Sequence, residues 1–165
     1  MRRYAYSWRW QPARLHKLLV RGQHLNSIAF MSVEGILDCK VIQGTVDGDL
    51  FYDVLQSALL PLLMPFNGVN PRSIVILDNA SIHRVDVIVE MINEVGALVL
   101  FLPPYSPDFN PIEEAFSKLK ALIKVYEMEL EMEHLDLEDI VLAAFSSLTA
   151  EDCQRWIAHC GIYST

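Results

Sequence analysis

Two acidic residues stand where a carboxylate could do chemistry. Asp78 follows the apolar run SIVIL at residues 73–77, and Glu113 falls in the first turn of a helix predicted to begin at Pro111. Ligands bind at the carboxyl ends of parallel strands in open α/β sheets, so an acid after such a strand suits a binding site. Phosphoacceptor, nucleotide and metal-binding folds all use this pattern, and in other proteins the Asp only binds nearby turn amides.

Glu113 also has a structural interpretation. Asn110 is a good N-cap, and the spacing from Asn110 to Glu113 matches a capping box, in which the Glu bonds back to the cap amide and complements the helix dipole. Glu114 could complement the dipole equally well. Prolines restrict the preceding loop, however, so the start of the helix should return to a defined place near the sheet edge, where it can face Asp78. These prolines are Pro103, Pro104, Pro107 and Pro111.

Hydrophobic periodicity predicts the elements that position these acids. Strands are predicted at residues 25–33, 36–44, 73–77 and 97–102, and helices at residues 49–64, from Ser81 to Gly96, and from Pro111. The first two strands are joined by a short turn, which favours an antiparallel hairpin. The fully apolar run at residues 97–102 is typical of a buried parallel strand. The order predicts an α/β fold, a mixed sheet with helices on its faces.

Composition limits the classes of protein to which this sequence can belong. The 165 residues are 52% apolar, enough for the core of one ordinary domain. The longest apolar run, residues 58–66, is too short to cross a bilayer and contains two prolines, and the N-terminus lacks the apolar stretch of a signal peptide. Three cysteines without a C-x-x-C pair favour reduced thiols in an intracellular protein. A zinc site at Cys153, His159 and Cys160 would lack a fourth ligand.

The net charge of −8 hides a gradient along the chain. Residues 1–33 contain no acid and six bases, for a net charge of +6: Arg2, Arg3, Arg9, Arg14, Lys17 and Arg21. Four aromatic residues are interleaved with them, so this segment could follow a phosphate backbone and stack on bases, although a solvated surface is the simpler interpretation. Residues 125–165 carry nine acids and the single base Arg155, and would be repelled by nucleic acid.

The sequences ILDNASIH and LPPYSPDFNPIEEAFSKLK resemble the second and third acidic blocks of DDE transposases of the mariner superfamily, the DDE superfamily endonuclease domain. The resemblance covers about residues 20–125, and 34 residues separate Asp78 from Glu113, an interval typical of that superfamily. It implies a ribonuclease-H-like fold and DNA cleavage and strand transfer at transposon ends. It also implies Asp78 and Glu113 as catalytic metal ligands for Mg²⁺ or Mn²⁺, while Asn79 and His83 match the family's D-N-x-x-x-H block.

Metal-dependent phosphodiester chemistry suits these residue types. Two Mg²⁺ ions about 3.5 to 4 Å apart can activate the attacking oxygen and stabilise the leaving one, and hard cations prefer carboxylate oxygens. Asn79 is expected to orient Asp78, and His83 either lies near the substrate phosphate or packs at the helix start. Asn110 and Glu114 are expected to support the site or contact the substrate. Outward lysines of the last core helix could meet DNA phosphates, or simply form a solvated face: Lys118, Lys120 and Lys124.

One part of the family pattern is missing. The family's first catalytic Asp lies on its first strand, upstream of a Tyr/Trp and Arg-rich segment that residues 1–14 resemble, yet the first acid in this sequence is Glu34. That first strand is central in the family's sheet, so we expect unpaired strand edges and a chain that is inactive alone. Asp38, Asp47 and Asp49 could be proposed as substitutes, but nothing distinguishes them from surface acids. The helix-turn-helix region by which such enzymes usually recognise transposon ends is also absent.

The sequence therefore predicts a basic aromatic arm at residues 1–21, a partial ribonuclease-H-like catalytic core at 22–125 and a helical C-terminal tail at 126–165. In that tail a helix capped by Thr149 should return Trp156 and Ile157 to the core or to a partner chain. The expected partners are DNA, at transposon ends and target, and a second copy of the chain, with no membrane and no small-molecule substrate. We expect nuclear localisation in a eukaryote and cytoplasmic localisation otherwise. The alternative is a non-catalytic DNA- or protein-binding remnant of a transposase; a phosphoacceptor domain is a remote third possibility.

Overall fold

The structure, a computed structural model, describes residues 25–78, 85–129 and 136–162, without the side chains of residues 127–129. Its strands are β1 (Leu25–Ser32), β2 (Gly35–Gln43), β3 (Ile74–Leu77) and β4 (Leu98–Phe101). Its helices are α1 (Gly48–Val54), α2 (Val85–Glu94), α3 (Pro111–Glu129), α4 (Leu137–Ser146) and α5 (Ala150–His159). The predicted order of hairpin, helix, strand, helix, strand and helix is confirmed.

The strands form two separate two-stranded sheets in the described residues. β1 and β2 are antiparallel, with an irregularity between Phe30 and Met31. β2 begins directly after their turn with Gly35, whose φ of +124° is accessible to glycine and strained for other residues. β3 and β4 are parallel, in the register Ile74 to Leu98 and Ile76 to Leu100. Neither β1 nor β2 pairs with β3 or β4 in this part of the chain.

The helix predicted at residues 49–64 is found, but its winding changes along its length. Asp47 caps α1, since its carboxylate accepts the N–H of Leu50 at 2.9 Å. The chain then continues as a π-helical segment, Leu55–Leu59, and a 3₁₀ turn, Leu60–Leu62. Pro61 explains the change, because proline has no N–H to give to a carbonyl one turn earlier.

The predicted burial of the strand at residues 97–102 is correct at its two ends, where Ala97 and Leu102 are 1% and 8% exposed, and wrong for most of the residues between them. Leu98, Leu100 and Phe101 are 43%, 54% and 39% exposed, and Ile74 beside Leu98 is 48% exposed. The other face of this sheet is covered, by α2 and the helical segment after α1, through Val75, Val99 and their neighbours. The sheet is therefore covered on one face in the described residues, and an apolar strand sequence does not tell which of its faces will be packed.

Two apolar clusters form the core of the described residues. The first packs the π-helical segment and α2 on β3 and β4, with Leu55, Ile88 and Ile92 almost fully buried. The second packs α3, α4 and α5 on the β1–β2 hairpin, around Ala115 and Phe145.

β1 contributes to both clusters. Phe30 packs against the first cluster, and its neighbours Ala29 and Met31 pack against the second, because successive strand residues point to opposite faces.

The C-terminal helices are part of the second cluster. As predicted, Thr149 caps α5, and it does so in a capping box with Asp152. Trp156 packs on the second cluster and Ile157 is 8% exposed, so the predicted return of this helix to the core is confirmed. The boundary predicted after residue 125 falls inside α3, which continues to Glu129.

None of the helices in the described ranges has both the length and the apolar character needed to cross a bilayer.

Candidate active site

A groove of about 460 Å³ separates the two sheets. Residues 27–33, in β1 and directly after it, line one side of the groove, and residues 74–78, in β3 and directly after it, line the other. Asp78, which is exposed, stands at the carboxyl end of β3, and residues 110–112 at the start of α3 line the same groove. The structure thus brings the carboxyl end of β3 and the first turn of α3, which are far apart in sequence, to one groove.

Glu113 directly follows this lining stretch and is exposed. Its N–H donates to the carbonyl of Asn110 at 3.1 Å, and the N–H of Asn110 donates to the carbonyl of Pro107 at 2.9 Å, at the end of the 3₁₀ turn Pro107–Phe109. Ser106 Oγ adds a bond to the Pro104 carbonyl at 3.2 Å. A chain of local hydrogen bonds therefore positions the start of α3, as the proline-rich sequence predicts.

The neighbouring acid, Glu114, lies at a different interface. One of its carboxylate oxygens is 3.2 Å from His159 Nδ1 on α5. Glu114 therefore contributes to the contact between α3 and α5, and its predicted role in supporting the acidic site stays a prediction.

The three lysines of α3 also differ in their surroundings. Lys118 Nζ lies 2.6 Å from a carboxylate oxygen of Asp152 and 5.9 Å from the ring centroid of Trp156. Lys120 and Lys124 are exposed. The predicted phosphate contacts of Lys120 and Lys124 need no rearrangement, whereas Lys118 would have to leave its partners on α5.

The acids considered as substitutes for a missing ligand have local structural roles. Asp38 lies 3.3 Å from Lys40 Nζ and accepts the N–H of Cys39, and Asp47 caps α1. Asp49 lies in the first turn of α1. In the described ranges, no group of three or more His, Cys, Asp or Glu residues could hold a metal ion.

The thiols near the C-terminus are structural. Cys153 and Cys160 are buried, and burial raises the pKa of both thiols, with nearby carboxylates adding to the effect.

Several predicted site residues lie outside the described part of the chain. They are Asn79, His83 and the basic residues Arg2, Arg3, Arg9, Arg14, Lys17 and Arg21.

An ion pair that the sequence analysis missed lies at the end of the groove opposite Asp78. Arg72 precedes β3 and lines the groove, and its Nε is 3.5 Å from a carboxylate oxygen of Glu34 in the β1–β2 turn. The pair connects the two sheets and places the end of β1 beside the start of β3, so these two strands run in opposite directions. No local sequence signal joins two residues 38 positions apart.

Comparison with solved structures identifies the fold. The chain is similar to the pre-cleavage Mos1 transpososome, with a TM-score of 0.56 and 18% identity over 100% of this chain and 53% of that one. It is also similar to the Mos1 transposase paired-end complex with left transposon end, with a TM-score of 0.55 and 20% identity over 99% and 52%. For the Mos1 mariner paired end complex with Mn the TM-score is 0.52 and the identity 16%, over 100% and 52%. These likenesses confirm the predicted ribonuclease-H-like α/β fold.

The chain spans about half the length of these solved proteins. No curated protein matched it. A family model described as DDE superfamily endonuclease matches residues 1–131. That stretch includes the two acidic blocks and most of the chain, and the chain therefore belongs to the DDE superfamily endonuclease family.

Proposed function

We propose that this chain is part of a transposase-type DNA endonuclease that cleaves phosphodiesters and transfers DNA strands with the help of Mg²⁺ or Mn²⁺. Asp78 and Glu113 are its proposed metal ligands. One observation carries the assignment: Asp78 lines the groove that residues 110–112, which lead directly into Glu113, also line. Family membership supports the same chemistry.

The donor chemistry fits the proposed metal. Asp78 and Glu113 are exposed, so their carboxylates can reach a hydrated ion without a large desolvation cost. Two carboxylates are a partial ligand set, which suits Mg²⁺ because this ion usually keeps several waters and binds substrate phosphates. Bound there, the metal would supply charge stabilisation and activation of the attacking oxygen. The hydrogen-bonded turns before α3 would keep Glu113 in place despite the repulsion between its carboxylate and the negatively charged substrate phosphate.

DNA is the proposed substrate and partner. One solved structure that this chain resembles is named as a Mos1 transposase paired-end complex with left transposon end, and another as a Mos1 mariner paired end complex with Mn. A homodimer that brings two ends together belongs to the same proposal, as does action in the nucleus of a eukaryotic host. Because no acid precedes Glu34, we further propose that residues 1–165 alone do not cut DNA.

Metal binding tests the assigned ligands. Titration of the purified chain with Mn²⁺, followed by electron paramagnetic resonance, should show weak binding that Asp78→Asn and Glu113→Gln each reduce. Glu151→Gln is the matched control, since Glu151 pairs with Arg155 on the surface of α5, and it should bind Mn²⁺ like the wild type. Equal binding by all four proteins would contradict the assignment.

Plasmid nicking tests the proposed inactivity separately. Supercoiled DNA incubated with the chain and Mg²⁺ or Mn²⁺ should stay intact. Nicking that Asp78→Asn abolishes would support the site and overturn the inactivity.

A non-catalytic nucleic-acid-binding role is the second candidate, and the charge of +6 on residues 1–33 favours it. It predicts DNA binding that weakens steeply with salt and is lost when residues 1–21 are deleted. If the role is non-catalytic, Asp78→Asn and Glu113→Gln should leave DNA binding unchanged. If the acids form a metal-dependent site, Mn²⁺ should change the DNA affinity of the wild type, and these two variants should lose that change.

A further inference from the structure

β4 forms one edge of the β3–β4 sheet. In the described residues it pairs with β3 alone, and the N–H of Leu98 donates to the carbonyl of Ser73 at 2.9 Å. Successive main-chain groups of a strand point to opposite sides, so the N–H groups of Val99 and Phe101 point away from β3. Within the described part of the chain, this outer edge is therefore open to pairing with a further strand.

The outer edge of β4 is apolar. Its sequence, LVLF, contains no charged residue and no proline, although these are the residues that commonly keep exposed strand edges from pairing. Leu98 and Leu100 are exposed on one face of the strand, and Phe101 is 39% exposed on the face that α2 covers. A run of exposed apolar residues at an unprotected edge indicates a contact surface.

α2 carries a row of acids beside this edge. Asp86, Glu90 and Glu94 are exposed and four residues apart, so they follow one another along the helix at intervals of about 6 Å. None of them forms an ion pair in the described ranges. Like charges at this spacing repel one another, and Glu94 lies at the negative end of the helix dipole. Positive charges placed beside the row would relieve this repulsion.

The acids and the end of β4 meet at an open depression of about 580 Å³. Val85, Val89 and Phe101 form its apolar part, and the three acids and Asn93 form its polar part. None of these residues lines the groove of the candidate active site. The depression is therefore a second surface, and its negative charge repels nucleic acid and attracts basic groups.

We propose that the outer edge of β4 and the acidic face of α2 together bind an extended segment of a partner protein, in which basic residues alternate with apolar ones. Main-chain hydrogen bonds to β4 supply part of the affinity, as in other cases of β-strand addition, and the charges on α2 supply the selectivity. This interaction depends neither on the proposed metal ligands nor on DNA cleavage.

The spacing of the acids fits an extended segment. α2 connects two parallel strands, so it runs roughly along them and along any strand added at the edge. Alternate residues of a strand are about 6.6 Å apart, close to the interval of about 6 Å between the acids. Three basic residues at alternate positions can therefore face the three acids. The apolar residues between them point to the other face, beside Leu98 and Leu100.

Charge argues against a second copy of the chain as the occupant. Two β4 edges paired antiparallel around a two-fold axis would bring both α2 helices to the same face of the joined sheet. Their rows of acids would then repel each other. A basic segment of a different protein has the complementary charge.

Fluorescence anisotropy with a synthetic peptide tests the proposal on the full chain. The fluorescein-labelled probe has the sequence GGRVRVRGG, and the control GGRRRVVGG has the same composition and charge without the alternation. The probe should bind about fivefold or more tightly than the control, because its charges and its main chain are aligned with the site at the same time. Equal binding of the two peptides would show attraction by net charge alone and would overturn the proposal.

Two N-methylated forms of the probe test the pairing with β4. An added edge strand uses the main-chain groups of one of its sides only. One form is methylated on the three arginine nitrogens and the other on the two valine nitrogens, so each form blocks a different side. One form should lose its binding and the other should keep it. If both forms bind, or neither does, the segment does not pair as an edge strand and the proposal fails.

A matched pair of variants locates the binding. Glu90→Gln should weaken binding of the probe about two- to fivefold, as expected for an exposed ion pair. Glu151→Gln removes the same charge from the surface of α5 and should leave the affinity unchanged. Circular dichroism and thermal melting establish that both variants are folded. An equal effect of the two substitutions would place the peptide elsewhere and contradict the proposal.

Amide hydrogen exchange separates the possible occupants. The N–H groups of Val99 and Phe101 should exchange fast in the chain alone and slowly when the probe is bound. Slow exchange without the probe at every protein concentration would mean that the chain's own residues cover the edge. Protection that increases with protein concentration would assign the edge to a second copy. Either result overturns the proposal.

Discussion

Lys118 Nζ lies 2.6 Å from Asp152 Oδ2, and this contact joins α3 to the first turn of α5. The same carboxylate oxygen accepts the N–H and the hydroxyl of Thr149, which caps α5. One carboxylate therefore closes the capping box and attaches the C-terminal helix to the helix that begins at the candidate active site.

Stability should depend on pH through Asp152. The hydrogen bond from Lys118, followed by that from the Thr149 backbone, lowers the pKa of this carboxyl from its ordinary 3.8 to about 2. Because the folded state holds the charged form, the stabilisation is complete above pH 4 and is lost as the pH falls toward 2. Asp152→Asn should lower the free energy of unfolding by about 1 to 2 kcal/mol at pH 7 and should flatten its decline between pH 4 and 2.

Urea unfolding at a series of pH values measures this effect. Glu151→Gln is the control, because Glu151 is 83% exposed and its pair with Arg155 lies on the surface. Its free energy of unfolding should stay within about 0.5 kcal/mol of the wild type. A similar loss in both variants would show that charge in general, and not the Asp152 contact, sets the stability.

Gly96, which follows α2, should be intolerant of a side chain for two reasons. Its φ is +81°, and a Cβ at this position would lie 3.0 Å from Pro65 Cβ. Gly68 has a similar φ of +82°, and a Cβ there would meet nothing within 4 Å, so Gly68→Ala isolates the backbone cost. We expect Gly68→Ala to cost about 1 kcal/mol and Gly96→Ala clearly more in thermal or urea unfolding. Equal losses would mean that Pro65 moves aside freely.

Local sequence patterns were sufficient for most elements of this fold. Several local features act over only a few residues, which is the range that sequence patterns report. They are Gly35 after the hairpin turn, the caps Asp47 and Thr149, and the helix start at Pro111. For the same reason the position of Asp78 after a strand was predictable. The shared groove depends on packing between distant segments, and it was indicated by the proline-restricted loop before Pro111 together with the spacing typical of a known family.

Other features depend on what lies next to a residue in space. The apolar sequence of β4 predicts burial, yet Leu100 faces outward because nothing in the described residues covers that side of the sheet. The pairs of Arg72 with Glu34 and of Glu114 with His159 join elements far apart in sequence. Charges of opposite sign are common along any chain, so sequence alone cannot select the pairs that packing brings together.

The lysines of α3 should separate into two kinds in DNA binding. Lys120 and Lys124 are exposed, so Lys120→Gln and Lys124→Gln should each reduce the slope of log K against log salt by about 0.9 for duplex DNA, if each contacts one phosphate. Lys118→Gln should leave the slope unchanged and lower the melting temperature instead, because Lys118 is paired with Asp152. Fluorescence anisotropy at several salt concentrations gives the slopes. An unchanged slope in all three variants would assign these lysines to a solvated face.

The uncovered face of the β3–β4 sheet makes a last prediction about stability. Leu100 is 54% exposed there, whereas Val75 on the opposite face is 8% exposed and belongs to the first cluster. Leu100→Thr should change the free energy of unfolding by no more than about 0.5 kcal/mol, since threonine also favours strands and little apolar area is lost. Val75→Thr should cost about 1 to 3 kcal/mol, because it buries a hydroxyl among apolar side chains. Urea unfolding at two protein concentrations compares them. If Leu100→Thr lowers the free energy of unfolding as much as Val75→Thr at both protein concentrations, another part of the chain covers this face. If the loss caused by Leu100→Thr increases with protein concentration, a second copy of the chain covers it.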